Sequence, residues 1–265
     1  MLKLDGKVAI ISGAAQGMGA ATARLFAQQG ARLVLGDVQA EKLQALAAEL
    51  GDSALAVQLD VREESDWQAA VAAAQQKFGR LTTLVNNAGV LAFGASDQLE
   101  KAAAQRLLDI NVIGTLMGVK HAVPALRENG GGAIINISSI DGLVGFNGRI
   151  AYTASKWAVR GITKALAVEY GPENIRVVSV HPGGINTEMG NPAAATEAEV
   201  NQSYKRMPLQ RIGAPEEVAR VTAFLASDDA SYVHGAEIAV DGGWTAGHFE
   251  PMLPGGAAYV TEQPR

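Results

Sequence analysis

Seven short runs of apolar, mostly β-branched residues alternate with Ala-rich segments along nearly the whole chain. The runs lie at residues 8–12, 32–36, 55–59, 83–85, 133–137, 176–180 and 237–240. Most of them are continuously apolar, which is typical of strands that are covered on both faces. Predicted helices separate them, at residues 18–29, 41–50, 63–78, 99–122, 151–170 and 215–226. This alternation predicts a single-domain α/β fold, a doubly wound parallel sheet of about seven strands with helices on both faces.

Two segments interrupt this alternation. Residues 186–208, which follow the sixth predicted strand, are rich in Ala, Glu, Asn and Pro. Because irregular segments of this length inside a compact domain are usually functional, we expect a mobile lid over a substrate site. Residues 245–265 are rich in Gly and Pro and show no clear periodicity. They are interpreted either as a poorly ordered terminus or as a cover over the active site or a neighbouring subunit.

A glycine-rich turn joins the first predicted strand to the first predicted helix. Gly13, Gly17 and Gly19 follow the spacing GxxxGxG. Glycines at this position let the backbone approach a pyrophosphate, whose negative charge a helix N-terminus favours. The alternative interpretation is a tight turn that binds no ligand.

Asp37 favours the dinucleotide interpretation. It ends the second predicted strand, 18 residues after Gly19. A carboxylate there accepts hydrogen bonds from the adenosine ribose hydroxyls and repels a 2′-phosphate. No Arg or Lys flanks Asp37 or lies within residues 14–18. The sequence therefore predicts NAD(H) rather than NADP(H).

Small and polar residues also follow the third and fourth predicted strands. Asp60 and Val61 end the third, where an adenine would lie, and Asn87, Ala88 and Gly89 follow the fourth. The residues after either strand alone would be interpreted as an ordinary loop cap. Together they outline the crevice at the carboxyl ends of the strands, where open α/β sheets bind ligands.

Tyr152 and Lys156 are four residues apart in a predicted helix, so their side chains share one face. A lysine ammonium beside a phenol favours the phenolate and lowers a pKa that is about 10 when unperturbed. Ser139, just after the fifth predicted strand, could polarise a carbonyl or hydroxyl that exchanges a proton with that phenol. These residues predict proton transfer coupled to movement of a hydride.

Composition excludes several other classes of function. The 265 residues carry a net charge of −5, which gives no basic surface for nucleic acid or membrane. The chain has no cysteine, so disulfides, thiol catalysis and thiolate metal sites are excluded, and we expect no metal. No leader of charged then apolar residues precedes the first strand, and no apolar run reaches bilayer-spanning length. We therefore expect a cytoplasmic enzyme.

The motifs together resemble the short-chain dehydrogenase/reductase family over residues from about 7 to 244. The resemblance rests on the following elements, in order: Gly13, Gly17, Gly19, residues 86–89, Asn111, Ser139, Tyr152, Lys156, Pro182 and Gly183. It implies a Rossmann-type fold and the catalytic set Asn111, Ser139, Tyr152 and Lys156. A single YxxxK pair would be weak evidence, because many helices contain one by chance.

The resemblance implies a role for each catalytic residue. Tyr152 is the general acid in carbonyl reduction and the general base in alcohol oxidation. Lys156 lowers its pKa and holds the nicotinamide ribose, while Ser139 orients the substrate oxygen. Asn111 lies mid-helix and holds a water that links Lys156 to solvent. The full cofactor-binding set predicted is Gly13, Gln16, Gly17, Met18, Gly19, Asp37, Asp60, Val61, Asn87, Ala88, Gly89, Tyr152, Lys156, Pro182, Gly183, Ile185 and Thr187.

The predicted substrate site is mostly apolar. Its candidates are Ser139, Ile140, Asp141, Phe146, Asn147 and Met189, together with residues 186–208. No Arg or Lys is obviously placed to bind a substrate carboxylate or phosphate, which favours a neutral, hydrophobic ketone or alcohol. Within the family, residues 139–189 resemble the 3α/20β-hydroxysteroid dehydrogenases and related alicyclic secondary-alcohol dehydrogenases.

Asp141 departs from the family pattern, which has a small residue two places after the catalytic serine. Its side chain either receives a distant hydroxyl of the substrate or caps the loop. Capping is the favoured interpretation, because Asp is a common turn residue.

Two alternative functions and one assembly are also considered. A 3-oxoacyl-carrier-protein reductase commonly uses NADPH, so Asp37 counts against it. A non-catalytic NAD(H)-binding sensor would be favoured by loss of Ser139, Tyr152 or Lys156, all of which are present. The resemblance further implies a homotetramer, in which the helices at residues 99–122 and 151–170 pair with those of a second subunit.

Overall fold

A single parallel sheet of seven strands forms the centre of the computed structural model, which describes residues 4–250 and 253. The strand order is β3-β2-β1-β4-β5-β6-β7. The strands are β1 (Val8–Ser12), β2 (Arg32–Asp37), β3 (Ala54–Gln58), β4 (Thr83–Asn86), β5 (Gly132–Ile137), β6 (Ile175–Pro182) and β7 (Glu237–Val240). This order reverses direction between β1 and β4, as in doubly wound folds, and confirms the predicted fold class.

Eight α-helices lie in the described part of the chain. They are α1 (Gly17–Gln28), α2 (Ala40–Leu50), α3 (Glu64–Phe78), α4 (Lys101–Leu108), α5 (Gly114–Glu128), α6 (Ile150–Tyr170), α7 (Glu197–Gln202) and α8 (Pro215–Ala226). The short α7 lies within the segment 186–208, where Thr196 and Glu199 form a capping box. A helix was not predicted there, and the expectation of a lid stays a prediction.

Successive residues of each central strand point into two different cores. Ile11 packs with α1, α2 and α8 on one face, whereas Ile10 packs with α3, α5 and α6 on the other. Phe26 is the largest side chain in the first core and Trp67 the largest in the second, and both are fully buried. Because successive side chains of a strand point to opposite faces and both faces are buried here, the strands are apolar throughout instead of alternating between apolar and polar residues.

The predicted helix at residues 99–122 is wrong in two respects. The chain forms α4 and α5 with a π-helical turn, Asp109–Ile113, between them. In addition, α5 continues to Glu128 through Pro124. Pro124 is exposed, so water can reach the carbonyl oxygen that loses its helical partner, while Val123 and Leu126 remain buried against the sheet.

Candidate active site

The carboxyl ends of β1 to β4 border a cleft of about 410 Å³. The predicted cofactor residues that line it come from five separate segments, which lie at or after the ends of β1, β2, β3, β4 and β6: Gly13, Gln16, Gly17, Met18, Asp37, Asp60, Val61, Asn87, Ala88, Gly89 and Thr187. The structure therefore brings together groups that are up to 174 residues apart in the chain, between Gly13 and Thr187. They come together because the carboxyl ends of the parallel strands lie side by side where the strand order reverses, between β1 and β4.

Close packing of backbone explains the glycines of the turn after β1. Gly13 has a φ of +66° and Gly17 a φ of +54°, the left-handed region that favours glycine. A Cβ on Gly13 would lie 2.8 Å from the Cα of Ala88, and one on Gly19 would overlap the carbonyl oxygen of Gly13. Gly19 is buried behind the turn and does not line the cleft. The Asn87 side-chain amide donates to the carbonyls of Ser12 and Gly13, both at 3.0 Å.

Asp37 links two turns at the cleft wall. Its buried carboxylate accepts hydrogen bonds from the N–H groups of Ala15 at 3.0 Å and Gln39 at 2.9 Å. Each carboxylate oxygen can accept a further hydrogen bond, so these contacts hold Asp37 in place and leave it able to bind a ligand hydroxyl. A basic residue that lies outside the predicted set, Lys42 of α2, donates to the Gln16 side chain at 2.5 Å.

Asp60 lines the cleft two residues after the end of β3, the strand that pairs with β2. Its carboxylate accepts hydrogen bonds from the Arg62 guanidinium, and these bonds lower the pKa of Asp60. Its backbone N–H donates to Asp66 at 2.9 Å. The Asp60 carboxylate is therefore ionised, and both this carboxylate and the backbone N–H of Asp60 are hydrogen-bonded to other protein groups.

Ser139, Tyr152 and Lys156 meet where β5 approaches α6. All three side chains are buried, and the Tyr152 hydroxyl lies within hydrogen-bonding reach of Ser139. The Lys156 ammonium donates to the carbonyl of Ile137 at 3.0 Å and lies 5.6 Å from the centroid of the Tyr152 ring. The helical spacing thus places the tyrosine and the lysine on one face, as predicted.

The net direction of the tyrosine pKa is the reverse of the one expected from that spacing. Burial raises the pKa of Tyr152 to about 12, and the Ser139 hydrogen bond only partly opposes this. Burial also lowers the pKa of Lys156 to about 8. Both shifts have the same cause, since removal from water disfavours the charged form of each group. The chain alone therefore holds Tyr152 as the neutral phenol.

Asn111 lies in the π-helical turn between α4 and α5. Its side chain accepts from the N–H of Val90 at 2.9 Å and donates to the carbonyl of Val90 at 3.0 Å. It also donates to the Ser155 hydroxyl at 3.1 Å. Because π-helical turns often occur at functional sites, this fixed position beside the loop after β4 is consistent with a place in the site.

Asp141 is completely buried behind Ser139. Its backbone N–H donates to the Ser139 hydroxyl oxygen at 3.1 Å. Its carboxylate accepts from Arg149 at 3.0 Å, Thr153 at 3.1 Å and Ser139 at 3.3 Å. Burial raises the pKa of Asp141, and the Arg149 guanidinium opposes that rise. These are the contacts of a residue that holds its own loop, the interpretation favoured from the sequence.

A second cavity, of about 180 Å³, adjoins the cleft and is lined by Ser139 and Tyr152. The predicted residues Ser139, Ile140, Asp141, Tyr152, Pro182, Gly183, Ile185, Thr187 and Met189 line it. Met18, Thr187 and Met189 border both cavities, so the two lie side by side. Two residues of the predicted substrate site, Phe146 and the exposed Asn147, do not line the cavity. Lys156 is buried and does not line it either.

Aromatic and basic residues that were absent from the predicted set complete this second cavity. Trp244, just after β7, makes edge-to-face contacts with Phe146 at 5.6 Å and Tyr204 at 5.7 Å between ring centroids. Phe93 and Arg149 also line it. The position of Trp244 at the carboxyl end of a predicted strand is the sequence signal that could have identified it.

His181 was also absent from the predicted set and supports Ser139 from behind. It is fully buried, and its Nδ1 lies 2.8 Å from the carbonyl oxygen of Ser139. Because a carbonyl only accepts, Nδ1 carries the proton and Nε2 accepts from the Ser179 hydroxyl at 2.8 Å. Burial lowers the pKa of His181, which keeps the ring neutral.

Neither a metal-binding cluster nor a membrane-spanning helix occurs in the described part of the chain. Residues 4–250 and 253 contain no group of three or more His, Asp or Glu side chains that could hold a metal ion. Nor does any helix within those ranges have the length and hydropathy to span a membrane. Most of the 245–265 tail, and with it the predicted cover, lies outside the described residues.

Comparison with known families agrees with this geometry. The family model described as enoyl-(acyl carrier protein) reductase matches residues 13–245. The chain therefore belongs to the short-chain dehydrogenase/reductase family, as its motifs predicted. It is an oxidoreductase that acts on CH–OH groups with a nicotinamide cofactor.

Individual relatives cover almost the whole chain. A 3-alpha-(or 20-beta)-hydroxysteroid dehydrogenase of Mycobacterium bovis is 44% identical over 262 residues, which are 99% of this chain and 97% of the relative. A trans-4-hydroxycyclohexanecarboxylate dehydrogenase of Sinomonas cyclohexanicum is 44% identical over 251 residues, 91% and 94% of the two chains. A cyclohexanol dehydrogenase of an Acinetobacter species is 42% identical over 248 residues, 92% and 97% of the two chains.

Proposed function

We propose that the protein is an NAD-dependent dehydrogenase that interconverts a hydrophobic alicyclic secondary alcohol, of the hydroxysteroid or cyclohexanol type, and its ketone. The observation that supports this proposal is that the two cavities adjoin, one bordered by Asp37 and the other lined by Ser139 and Tyr152. The aromatic wall around the second cavity and the substrates named for the relatives support the alicyclic class.

The residues of the cleft fit a dinucleotide. The turn after β1 brings backbone so close that Cβ atoms on Gly13 or Gly19 would collide with neighbouring backbone, and α1 begins at Gly17. This turn would hold the pyrophosphate, Asp37 the adenosine ribose and Lys156 the nicotinamide ribose. Ile185 and Thr187 would contact the carboxamide. When bound, the nicotinamide exchanges a hydride with the substrate carbon and, in its oxidised form, adds a positive charge to the site.

Tyr152 would exchange the proton of the reacting hydroxyl. In oxidation the phenolate takes that proton, and in reduction the phenol returns it to the carbonyl oxygen. Ser139 donates a hydrogen bond to the same oxygen and keeps it beside the phenol. Burial holds Tyr152 neutral, so positive charge beside it, from Lys156 or the oxidised cofactor, shifts it toward the phenolate that oxidation requires.

A cofactor and substrate panel tests the proposal. NAD⁺ and NADP⁺ reduction would be followed with cyclohexanols and hydroxysteroids, and NADH and NADPH oxidation with the matching ketones and an acetoacetyl thioester. We expect turnover of alicyclic compounds with NAD(H). Preference for the thioester with NADPH would support a carrier-protein reductase instead, and tight NADH binding without turnover of any compound would support a sensor.

Asp37→Ala is expected to narrow the preference for NAD⁺ over NADP⁺, measured as the ratio of the two kcat/KM values. Loss of the carboxylate removes an acceptor for the ribose hydroxyls and its repulsion of a 2′-phosphate. The ratio is expected to fall roughly tenfold or more, which corresponds to the free energy of one hydrogen bond with a charged group. An unchanged ratio would show that Asp37 does not discriminate between the cofactors.

Lys42→Ala is the matched control for cofactor choice. The Lys42 ammonium, which contacts Gln16, is a basic group of α2 near the same turn. Its removal is expected to leave the preference for NAD⁺ intact or to increase it. A fall in that preference after Lys42→Ala would contradict the assignment of selectivity to Asp37.

We also infer a homotetramer. Several apolar side chains on or beside α5 and α6 are exposed in the single chain, among them Ile113, Ile150, Trp157 and Val168. Exposed apolar surface on these helices favours burial against a second copy. Size-exclusion chromatography with light scattering tests this, and a monomeric mass would contradict it.

A further inference from the structure

Arg149 places a guanidinium in the wall of the cavity that contains Tyr152. It is the residue immediately before α6, and its charged group lies over the ring of Phe146 at 4.6 Å and that of Phe93 at 5.6 Å. Contacts of this kind with aromatic faces favour a fixed guanidinium. One terminal nitrogen donates to Asp141 at 3.0 Å, which fixes the group from a third direction.

Most hydrogen-bond donors of Arg149 remain unused. A guanidinium has five N–H groups, and within residues 4–250 and 253 the Asp141 carboxylate is the acceptor of its side chain. The side chain is 26% exposed and lines the cavity, so bulk solvent does not surround its remaining donors. An oxygen of a bound molecule would satisfy them.

Arg149 also lies at a useful distance from the reacting centre. Its donating nitrogen and the Ser139 hydroxyl contact the same oxygen of Asp141, at 3.0 Å and 3.3 Å. The two groups are therefore no more than two hydrogen-bond lengths apart. A single alicyclic ring with one oxygen at Ser139 can present a second oxygen to Arg149.

The charges of Arg149 and Asp141 determine whether the second substrate oxygen is charged or neutral. The buried Asp141 carboxylate already pairs with Arg149, and the nearby Tyr152 is neutral. A substrate carboxylate would add an unpaired negative charge next to buried Asp141, which is costly. A carbonyl or hydroxyl oxygen would accept from Arg149 without that penalty.

We propose that Arg149 is a specificity-determining residue that hydrogen-bonds a second, uncharged oxygen of the substrate, across the ring from the reacting carbon. The preferred substrates are then alicyclic diols, hydroxyketones and diketones rather than mono-oxygenated rings. This inference rests on the proposed function and names the substrate class of the same site. It places a basic residue where the sequence suggested none.

The test compares NAD⁺ reduction with two alcohols of similar size, trans-1,4-cyclohexanediol and trans-4-methylcyclohexanol. Asp141→Asn is the background for Arg149→Met, because Arg149→Met alone would leave a buried carboxylate unpaired and could unfold the loop. The ratio of kcat/KM for diol over methyl compound is expected to fall roughly tenfold or more from Asp141→Asn to the double variant. A displacement of Ser139 would lower kcat/KM for both alcohols and would therefore cancel in the ratio.

A control variant and a third substrate test the proposal further. Thr153→Val removes another contact to Asp141 and is expected to leave the ratio unchanged. With trans-4-hydroxycyclohexanecarboxylate, the wild-type enzyme is expected to have a lower kcat/KM than with the diol, and Asp141→Asn to narrow that gap. A wild-type preference for the carboxylate would overturn the choice of an uncharged oxygen.

Failure of the inference and failure of the proposed function give different readouts. Equal diol-to-methyl ratios in Asp141→Asn and the double variant overturn the role of Arg149 while the enzyme still oxidises both alcohols. No NAD⁺ reduction by the wild-type enzyme with any of the three alcohols or with the hydroxysteroids of the panel overturns the proposed function itself, together with this inference. Turnover of hydroxysteroids alone keeps the proposed function and overturns the preference for single-ring diols.

Discussion

Tyr152→Phe is expected to lower turnover by roughly 100-fold or more, since loss of a positioned acid or base typically costs this much. The change removes one hydroxyl and keeps the ring that packs beside Lys156 and Ser139. The proton of the reacting hydroxyl then has no protein group at that position to receive it. Steady-state NADH formation from an alicyclic alcohol, with saturating NAD⁺, measures the effect.

NADH binding and thermal unfolding are the controls for Tyr152→Phe. Both are expected to stay close to wild type, because Tyr152 does not line the cleft that carries Asp37 and the glycine turn. Near-normal turnover in the variant would refute Tyr152 as the acid and base. Loss of NADH binding would show instead that the substitution disturbs the site as a whole.

The pH dependence of the wild-type enzyme follows from the same residue. Burial raises the pKa of Tyr152 to about 12, so the chain alone keeps the phenol protonated at neutral pH. Alcohol oxidation needs the phenolate and should therefore become faster as pH rises, whereas ketone reduction needs the phenol and should become slower. Tyr152→Phe should flatten both profiles if this residue carries the proton.

Local sequence patterns predicted the elements that depend on local chemistry. The apolar runs became strands because both of their faces are covered, as Ile10 and Ile11 show. Gly13 and Gly17 were identifiable because their backbone conformations favour glycine. These features require no knowledge of distant parts of the chain.

The parts that sequence reasoning missed depend on how distant elements meet. Trp244 faces Phe146 because β7 ends at the same edge of the sheet as β5, and that adjacency exists only after folding. Arg149 joins Asp141 across a loop whose conformation has no simple periodicity. The direction of the Tyr152 pKa was missed for the same reason, since spacing indicates the neighbour but not the depth of burial.

The π-helical turn at Asn111 shows a further limit. The helical periodicity of residues 99–122 continues through it, so the pattern predicts one uninterrupted helix. The turn is held by bonds between the Asn111 side chain and the backbone of Val90, 21 residues away. A contact over that separation leaves no trace in the local spacing of apolar residues.

Gly19→Ala is expected to have the second large effect, on cofactor affinity and stability together. Gly19 lies at the third position of α1, directly against the turn that begins at Gly13. A Cβ there would overlap the carbonyl oxygen of Gly13 and lie 2.7 Å from the side-chain nitrogen of Asn87. The first of these atoms is backbone, so the turn itself must move, and it is the proposed pyrophosphate site.

The magnitude follows from overpacking of a tightly packed region, which costs about 1–3 kcal/mol in the free energy of unfolding. Displacement of the turn should also raise the dissociation constant of NADH by roughly tenfold or more, since hydrogen bonds to charged phosphates lose their geometry. Fluorescence titration with NADH and thermal unfolding measure the two effects in one preparation.

Gly145→Ala is the matched control. Gly145 lies in an exposed loop, its φ is not in the left-handed region, and a Cβ there would meet no heavy atom within 4 Å. The same chemical change should therefore leave NADH affinity and unfolding near wild type. If Gly19→Ala behaved like this control, the close approach of α1 to the Gly13 turn would not be what makes the cleft a dinucleotide site. If Gly19→Ala alone weakens NADH binding, steric closeness at this turn, rather than loss of a flexible residue, explains the requirement for glycine.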